Sequence, residues 1–530
     1  MSTESGGTRR WAGLAAIALG VSLIVVDTTI VNVITPSVIG DLQITSSQAQ
    51  WIQESYAITF AALLLVSGRL SDLLGARRVF AAGTVVFGVT SLLAGLAQTG
   101  DVLVLARFLQ GVGGAMLLPT SLSLLNQTFT GKARGQAFAV WGSTIGAATA
   151  VGPVIGGWLS EHASWRWAFG INIPLVVVVL ALTMTCVPTS PRTSGRVDVA
   201  GALLSIVGLG ALAFGLVEGR VYGWFLSTGT FEVLGRAWDS GLSPAFVALL
   251  VAVVFLAVFV HRQVVLSRDG SRGAPLMDTR LFGISSFRNG NLATVIIGVG
   301  EFGIIAVIPL WLQFTLGYSA LQAGVALLPL AVGSFLASGL SFGLARISAL
   351  GFVRLGLGLE AVALAGLGVV AATTRAPWWS IALALLVYGI GVGFATAQVT
   401  NVVLADVPDD QAGQGSGIQS TFRQLGSALG IAALTTVFYS TLSSQVTSTL
   451  RQGDLPDDRI DQFAAAVTDS AGATISTFAS DPATAVVARA AREAMANGVA
   501  LGSFVAAGFL VAGVAATLLI PAARRAGGVR

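Results

Sequence analysis

The chain has 530 residues, of which 54% are hydrophobic and only 10% are charged. Its mean hydropathy is +0.82, which excludes a soluble globular protein, because so few charged residues cannot keep a soluble surface hydrated. The net charge of +4 does not indicate nucleic-acid binding, since the arginines lie mostly in short loops and not on one basic face. We therefore expect an integral membrane protein that binds no nucleic acid.

Apolar runs long enough to cross a bilayer recur along the whole chain. Six lie in the first part, at 11–36, 49–68, 79–98, 102–126, 136–159 and 167–187. A pair follows at 198–219 and 243–261, and six more lie at 289–314, 320–343, 351–372, 378–404, 414–441 and 495–520. The sequence predicts an all-α membrane fold with two six-helix bundles and two additional linker helices, 14 transmembrane helices in all.

The positions of Arg and Lys predict the orientation, because cytoplasmic loops carry an excess of both. Most of them fall on one side, which places both termini in the cytoplasm. The predicted organisation is a cytoplasmic N-terminus at 1–10, a six-helix bundle at 11–187, two extra helices at 198–261, a flexible cytoplasmic linker at 262–288, a second bundle at 289–520 and a cytoplasmic tail at 521–530. The outer loop 442–494 is expected to form short amphipathic helices on the membrane surface, as a lid, a partner site or a solvated connector.

Residues that build metal or enzyme sites are scarce. The lone Cys186 excludes a disulfide framework, and His162 and His261 are too far apart in sequence to indicate a metal site. No Walker loop or nucleophile motif is present in the sequence. We expect neither an enzyme nor an ATP-driven pump, and no cofactor.

The loop after the second predicted span combines glycines, an acid and paired arginines: Gly68, Asp72, Gly75, Arg77 and Arg78. Glycine permits backbone angles that other residues avoid, and an acid is favoured at a neighbouring helix N-terminus. The loop resembles the signature loop of the major facilitator superfamily, which implies that the acid and the arginines latch the two bundles together. An ordinary positive-inside turn is the alternative. The equivalent loop of the second half, 343–348, lacks the acid.

An arginine, Arg107, lies inside the fourth span, in the segment 105–115. A cation there is costly unless it pairs with an acid or lines a wet cavity, so Arg107 is a candidate functional residue. The segment resembles the arginine-bearing motif of the same superfamily, which implies a link to proton transfer. A structural salt bridge at the helix end is the alternative.

The fifth span carries regularly spaced small residues that allow another helix to approach closely. The string contains Gly142, Gly146, Gly152, Pro153, Gly156 and Gly157. It resembles the antiporter motif of drug-exporting major facilitators, which implies export and not uptake.

Three other stretches, 27–33, 165–169 and 423–426, look like the fourteen-helix drug:proton antiporter family. The resemblance runs over nearly the whole chain and is weakest in loop 442–494. It implies a multi-pass carrier of the bacterial cytoplasmic membrane that is driven by the proton gradient. Its expected partners are protons, the lipid bilayer and a small hydrophobic or cationic substrate, and we expect it to work as a monomer.

Proton coupling requires groups that gain and lose protons inside the membrane, and buried carboxyl groups do so. We single out Asp27, Glu54, Glu301 and Glu360 within spans, with Arg423 as a counter-charge. Glu54 is a candidate for proton coupling or for binding cationic drugs, and Glu301 is the strongest candidate in the second half. Asp27 with Asn32 is alternatively a structural pair, and pairing of Glu360 with an arginine stays open.

Aromatic side chains within spans are candidates for substrate contact, although at helical spacing packing is the more common role. These are Phe60, Trp311, Phe314, Tyr388 and Phe394. The leading functional hypothesis is a proton-coupled antiporter that exports hydrophobic drugs or antibiotics, cationic ones among them, by alternating access. The alternatives are a dedicated exporter of an endogenous metabolite or lipid, and a membrane sensor or scaffold that does not transport.

Overall fold

A computed structural model describes residues 2–44, 46–193, 197–228, 231–233, 236–238, 240–268, 274–343, 348–373, 376–453 and 455–520. Within these ranges, 14 helices are long and apolar enough to cross a membrane. Many large apolar side chains point away from the protein, such as Val89 and Val362, which are 62% and 70% exposed. Such a surface suits lipid and not water, and the predicted all-α fold with fourteen spans is confirmed.

The first bundle contains six spans. Its helices are α1 (Ser2–Leu42), α2 (Ser46–Leu74), α3 (Ala76–Gly95), α4 (Gly100–Thr128), α5 (Gly131–His162), α6 (Trp167–Gly170) and α7 (Asn172–Cys186). The short α6 and α7 together form the sixth span. Sequence sets these boundaries locally: the Thr99 hydroxyl accepts a hydrogen bond from the Val102 amide and caps α4.

Two additional helices follow, α8 (Val199–Tyr222) and α9 (Pro244–Arg268), which pack against each other. A small antiparallel hairpin of β1 (Glu232–Val233) and β2 (Arg236–Ala237) lies between them, which the sequence did not lead us to expect. Asp198 caps α8 by accepting a hydrogen bond from the Gly201 amide, and it also pairs with Arg262 of α9 at 2.7 Å. The α8 helix packs against both α2 and the last bundle, so it contacts both halves.

The second bundle again contains six spans. Its helices are α10 (Ser285–Leu310), α11 (Ala320–Ala326), α12 (Leu328–Gly343), α13 (Ala349–Ala371), α14 (Trp378–Val403), α15 (Ala412–Leu450), α16 (Asp457–Asp469), α17 (Ile475–Ser480) and α18 (Ala485–Thr517). After Pro309, α10 continues as a π-helical turn over Trp311–Thr315. Such a turn is typical of functional or strained sites in a helix.

Because successive spans alternate in direction, the loops fall on two faces. We call the face that carries loop 69–78 and the segments 187–193 and 404–411 the terminal face, since α1 begins there and α18 ends there. The opposite face, with segments 41–48, 163–171 and 451–484, is the distal face. The seam between the halves is formed mainly by α2 against α15 and by α5 against α12 and α14.

Two predicted connections are more ordered than expected. The predicted loop 442–494 is shorter, because α15 continues to Leu450 and α18 already begins at Ala485. The apolar face of α16 (Ile460, Ala464, Val467) is buried against the protein, whereas we had placed such helices on the membrane surface.

The predicted flexible linker 262–288 is also partly packed. The α9 helix extends to Arg268, and the amides of Leu276 and Met277 donate to the Gln263 side chain at 2.8 and 3.1 Å. Residues 269–273 of this linker, residues 344–347 of the second-half loop and the predicted tail 521–530 lie outside the described residues.

Candidate functional site

The first polar cluster lies inside the first bundle and centres on Asp27 of α1 and Arg107 of α4. Their side chains form an ion pair at 2.5 Å, and each is 1% exposed. The Arg107 Nε also donates to the Ile52 carbonyl at 3.0 Å, and its guanidinium lies 4.4 Å from the Tyr56 ring. The structure therefore pairs two residues that the sequence offered separately.

The second carboxyl oxygen of Asp27 also has hydrogen-bond partners. Its Oδ1 accepts hydrogen bonds from Gln110 at 2.9 Å and from Asn172 of α7 at 3.1 Å. Both amides donate to Ser91 of α3 as well. The cluster thus joins α1, α3, α4 and α7 through hydrogen bonds to both members of the ion pair, which is how a buried charge pair is tolerated. The side chain of Asn32, the partner considered for Asp27, lies outside the described residues.

The second cluster lies in the other bundle, around Glu301 of α10. Its Oε1 accepts a hydrogen bond from Thr396 at 2.7 Å, and Tyr388 donates to the Glu301 backbone carbonyl at 2.7 Å. Glu301 is 4% exposed. Two residues of α14, two helical turns apart, thus hydrogen-bond to Glu301. The bond of Tyr388 to the backbone ties α14 to α10 and is a structural contact.

Glu360 of α13 lies beside this cluster. It is 0% exposed, and neither of its carboxyl oxygens has a hydrogen-bond partner. The carboxyl group interacts electrostatically with Glu301, whereas no arginine is paired with it among the described ion pairs. A buried carboxylate without donors is very costly, so Glu360 is suited to hold a proton.

Arg423 of α15 connects this cluster to the first bundle. Its guanidinium interacts electrostatically with Glu301 and lies 5.4 Å from the Phe302 ring and 6.0 Å from the Trp141 ring. Trp141 belongs to α5, where its Nε1 donates to Ser121 at 3.1 Å. Arg423 therefore connects Glu301 of the second bundle with α5 at the seam between the halves.

A third cluster pairs Glu54 of α2 with Glu218 of α8. The Gln50 amide donates to both, to Glu54 at 2.8 Å and to Glu218 at 2.9 Å. We did not single out Glu218 from the sequence, although its segment was predicted to span. Glu54 thus lies against a second acid, and Arg220 of α8 is a basic group that interacts electrostatically with both.

The signature loop meets the second bundle at the terminal face. Asp72 accepts hydrogen bonds from the Gly413 amide at 2.6 Å and the Gln414 amide at 2.8 Å, at the first turn of α15. A Cβ on Gly68 would lie 2.6 Å from the Gly413 carbonyl, so only glycine allows this approach. Gly75 has φ +91°, which glycine accepts without strain.

The paired arginines of the loop, Arg77 and Arg78, do not cross the seam. Arg77 donates to the Met184 carbonyl at 2.5 Å within its own bundle, and Arg78 is exposed. Instead Arg134 of α5 crosses it, donating to the Asn401 carbonyl at 3.0 Å. The resemblance offered Arg77 and Arg78 as latch residues, whereas the geometry places Asp72 and Arg134 at the contact. Arg134 carried no signal beyond its position in a basic loop.

The small residues of α5 serve two packing partners. Gly152 and Gly156 lie against α1, where a Cβ on Gly156 would be 3.3 Å from the Ile30 carbonyl. Gly146 faces Ser334 of α12, Gly157 faces Leu321 of α11, and Pro153 lies against Gly324. Gly142 is buried on the same helix. The stripe thus lets α5 contact the second bundle closely on one side and α1 on the other.

The five candidate aromatic residues are not gathered at one site. Phe60 stacks with Tyr56 at 5.9 Å in the first bundle, and Phe394 packs on Phe352 at 5.3 Å. Trp311 is fully buried, and Phe314 is half-buried on the same π-helical turn. Only Tyr388 contacts a candidate acid, as described above.

Residues missed from the sequence are mostly uncharged partners. Gln110 lies three residues after Arg107, which puts both on one helix face and was a usable signal. Tyr56 and Ser91 gave no such signal, because their partners lie on other helices.

A family model described as Major Facilitator Superfamily matches residues 17–431. The multidrug efflux pump LfrA of Mycolicibacterium smegmatis is 32% identical over 518 residues, which cover 97% of this chain and 97% of that protein. The puromycin resistance protein pur8 of Streptomyces alboniger is 34% identical over 440 residues, which cover 81% of this chain and 82% of that protein.

Solved structures show the same fold. The crystal structure of the human organic anion transporter MFSD10 aligns with a TM-score of 0.60 at 13% sequence identity, covering 96% of this chain and 99% of that one. At this identity the likeness supports the fold alone.

Proposed function

This chain belongs to the Major Facilitator Superfamily, and we propose that it is an antiporter that uses the proton gradient to export a small hydrophobic or cationic molecule. It is a multi-pass membrane transporter related to drug and antibiotic exporters, and not an enzyme. Within this proposal the protein lies in the bacterial cytoplasmic membrane. Its terminal face is cytoplasmic, as the distribution of Arg and Lys predicts.

The observation that carries the proposal is the carboxyl pair Glu301 and Glu360 beside Arg423. A coupled carrier needs a group that binds a proton in one conformation and releases it in another. Glu360 supplies a buried carboxyl without donors, and Glu301 supplies a second carboxyl with a nearby cation. Loss of the Glu360 proton adds a negative charge next to Glu301, and this charge attracts Arg423.

The position of Arg423 couples this charge to a movement of its guanidinium group. Its guanidinium faces both Glu301 and the Trp141 ring on α5, so stronger attraction to the acids withdraws it from the seam. The α5 helix is the element that the small residues allow to approach α11 and α12 closely. Protonation of Glu360 is therefore proposed to set how tightly α5 contacts the second bundle.

The signature loop supplies the gate in this scheme. Asp72 binds the first turn of α15, where the helix dipole favours an anion, and thereby closes the seam at the terminal face. Opening toward the cytoplasm requires loss of these two hydrogen bonds. Alternating access then follows as the two bundles rock about the α2–α15 and α5–α12 contacts, as in other repeat-built transporters.

Uptake of ethidium, a lipophilic cation, into inverted membrane vesicles with an imposed proton gradient tests the proposal. Wild type is expected to accumulate the dye, and Glu301→Gln and Glu360→Gln are expected to lose gradient-dependent accumulation. Glu493→Gln, an exposed position on α18, serves as the matched control and is expected to behave as wild type.

Absence of gradient-dependent uptake of ethidium and of neutral antibiotics by the wild type would contradict export of such molecules. It would shift the assignment to a dedicated metabolite or lipid carrier. Absence of any substrate-dependent proton flux would favour a sensor or scaffold.

A further inference from the structure

The carboxyl groups of Glu54 and Glu218 meet where the second span packs against the first additional helix. Glu218 is 0% exposed and Glu54 is 8% exposed. Glu54 Oε2 and Glu218 Oε1 have no hydrogen-bond partner in the structure, while the other two oxygens share the Gln50 amide. The two carboxyl groups interact directly with each other, so each acid has a second acid as its neighbour.

Two adjacent buried carboxylates cannot both stay charged without a cation between or beside them. The other titratable groups around them among the described residues are Arg220 and Tyr222 of α8 and Tyr439 of α15. Arg220 is exposed and lies 4.1 Å from the Tyr439 ring, so it offsets one negative charge from a distance. One further positive charge is needed between the acids, and one shared proton supplies it.

Aromatic rings surround the same position. Trp51, three residues before Glu54, stacks on Phe214, four residues before Glu218, with ring centroids 6.1 Å apart. Phe214 continues to Phe231 at 5.8 Å, and Phe231 contacts Tyr222 at 4.9 Å. Aromatic faces next to carboxyl groups are the surroundings that stabilise organic cations.

An apolar cleft lies between three helices, two of which carry the acids. It is lined by Ala57 of α2, Leu216 of α8 and Gln424 of α15, among others. Ala57 lies one turn from Glu54, and Leu216 lies two residues before Glu218, so the same stretches of α2 and α8 supply the acids and part of the apolar lining. An apolar lining suits the hydrophobic groups of a lipophilic cation.

We propose that Glu54 and Glu218 form one cation-exchange site, which holds a single shared proton when empty and the charged centre of a lipophilic monovalent cation when loaded. The exchange conserves charge, because one proton leaves to solvent as one positive charge enters, and no covalent bond of the cation changes. The inference rests on the proposed function and narrows its substrate class to lipophilic cations. It also gives the additional helix α8 a part in binding.

Binding of tetraphenylphosphonium to the purified full chain in lipid nanodiscs tests the site without requiring transport. For the wild type we expect the affinity to rise by about tenfold per pH unit while a proton competes for the site, with one proton released per bound cation. Glu218→Gln is expected to lose at least about tenfold in affinity, with loss of the pH slope and of proton release. Glu54→Gln, on a different helix, is expected to do the same.

Glu493→Gln is the matched control and should keep wild-type affinity and slope, and thermal unfolding of each variant shows that it remains folded. Wild-type affinity and pH slope in folded Glu218→Gln would overturn the inference. So would absence of tetraphenylphosphonium binding by the wild type. Failure of the proposed function gives a different pattern, in which binding and proton release persist in nanodiscs but vesicles show no gradient-driven uptake.

Discussion

Asp27 and Glu360, one in each bundle, are buried in opposite ways. Asp27 in the first bundle accepts hydrogen bonds from Arg107, Gln110 and Asn172, so both of its oxygens are satisfied. Glu360 in the second bundle has no hydrogen-bond partner on either oxygen. A satisfied ion pair is held in one state by its surroundings, whereas a carboxyl without donors is stable only while protonated. The difference assigns structural support to the first site and proton exchange to the second.

The largest expected effect comes from breaking the satisfied pair. Asp27→Asn leaves Arg107 buried without its counter-ion, which costs about 3–5 kcal/mol in comparable sites. We expect a large loss of thermal stability in detergent, while Glu360→Gln, which replaces an unpartnered carboxyl by a neutral amide, should unfold close to the wild-type temperature.

The double variant Asp27→Asn with Arg107→Gln controls for the unpaired charge and should recover part of the lost stability. Equal unfolding temperatures of Asp27→Asn and Glu360→Gln would contradict the distinction between the two sites. They would show that Asp27 is not held by the network in which it lies.

A smaller effect is expected at the terminal face. Asp72→Asn weakens two charge-assisted hydrogen bonds to the first turn of α15, which together contribute about 1–2 kcal/mol to the closed seam. We expect more frequent opening of this face, measured as faster labelling of a cysteine that replaces Ser420, which is buried on α15, in a Cys186→Ser background. Arg78→Gln is the control, since Arg78 is exposed and labelling should not change. Unchanged labelling in Asp72→Asn would remove Asp72 from the gate.

The smallest effect concerns the ion pair of Asp198, which precedes its span, with Arg262 near the end of α9, and it gives a reference for acid titration. Burial opposes the charge of Asp198, but hydrogen bonds from Arg262, Gly201 and Gln263 outweigh it and lower the pKa of Asp198. Because the pKa of Asp198 is lower in the folded chain than in the unfolded chain, its charged form stabilises the folded state at pH values above the unfolded pKa of about 4. This stabilisation is lost as the pH falls below about 4. In Asp198→Asn the unfolding temperature should fall less steeply as the pH is lowered. An unchanged fall would show that other carboxyl groups cause the loss of stability in acid.

The sequence predicted the elements well and their contacts poorly. Hydropathy alone located all fourteen spans, because a bilayer requires long apolar helices. The role of Asp72 at a helix N-terminus was also expected, since the dipole argument is local. The pairing of Asp27 with Asn172 joins residues 145 positions apart, and no local pattern encodes that distance.

Glu218 illustrates the same limit. An acid near the end of a predicted span reads as a residue at the membrane edge, and its significance comes only from Glu54 on another helix. The packed segment 276–278 was likewise predicted as a flexible linker, because its partners Gln263 and Gln414 are ordinary polar residues in sequence. Tertiary contacts decided both cases.

The most direct test of proton coupling by the second bundle is substrate-driven proton movement in proteoliposomes with a pH-sensitive dye trapped inside. An outward substrate gradient should drive protons inward through the wild type. Glu360→Gln is expected to keep exchange of labelled for unlabelled substrate but to reduce proton movement by about tenfold or more. Wild-type proton movement in Glu360→Gln would contradict the assignment of proton exchange to this carboxyl group.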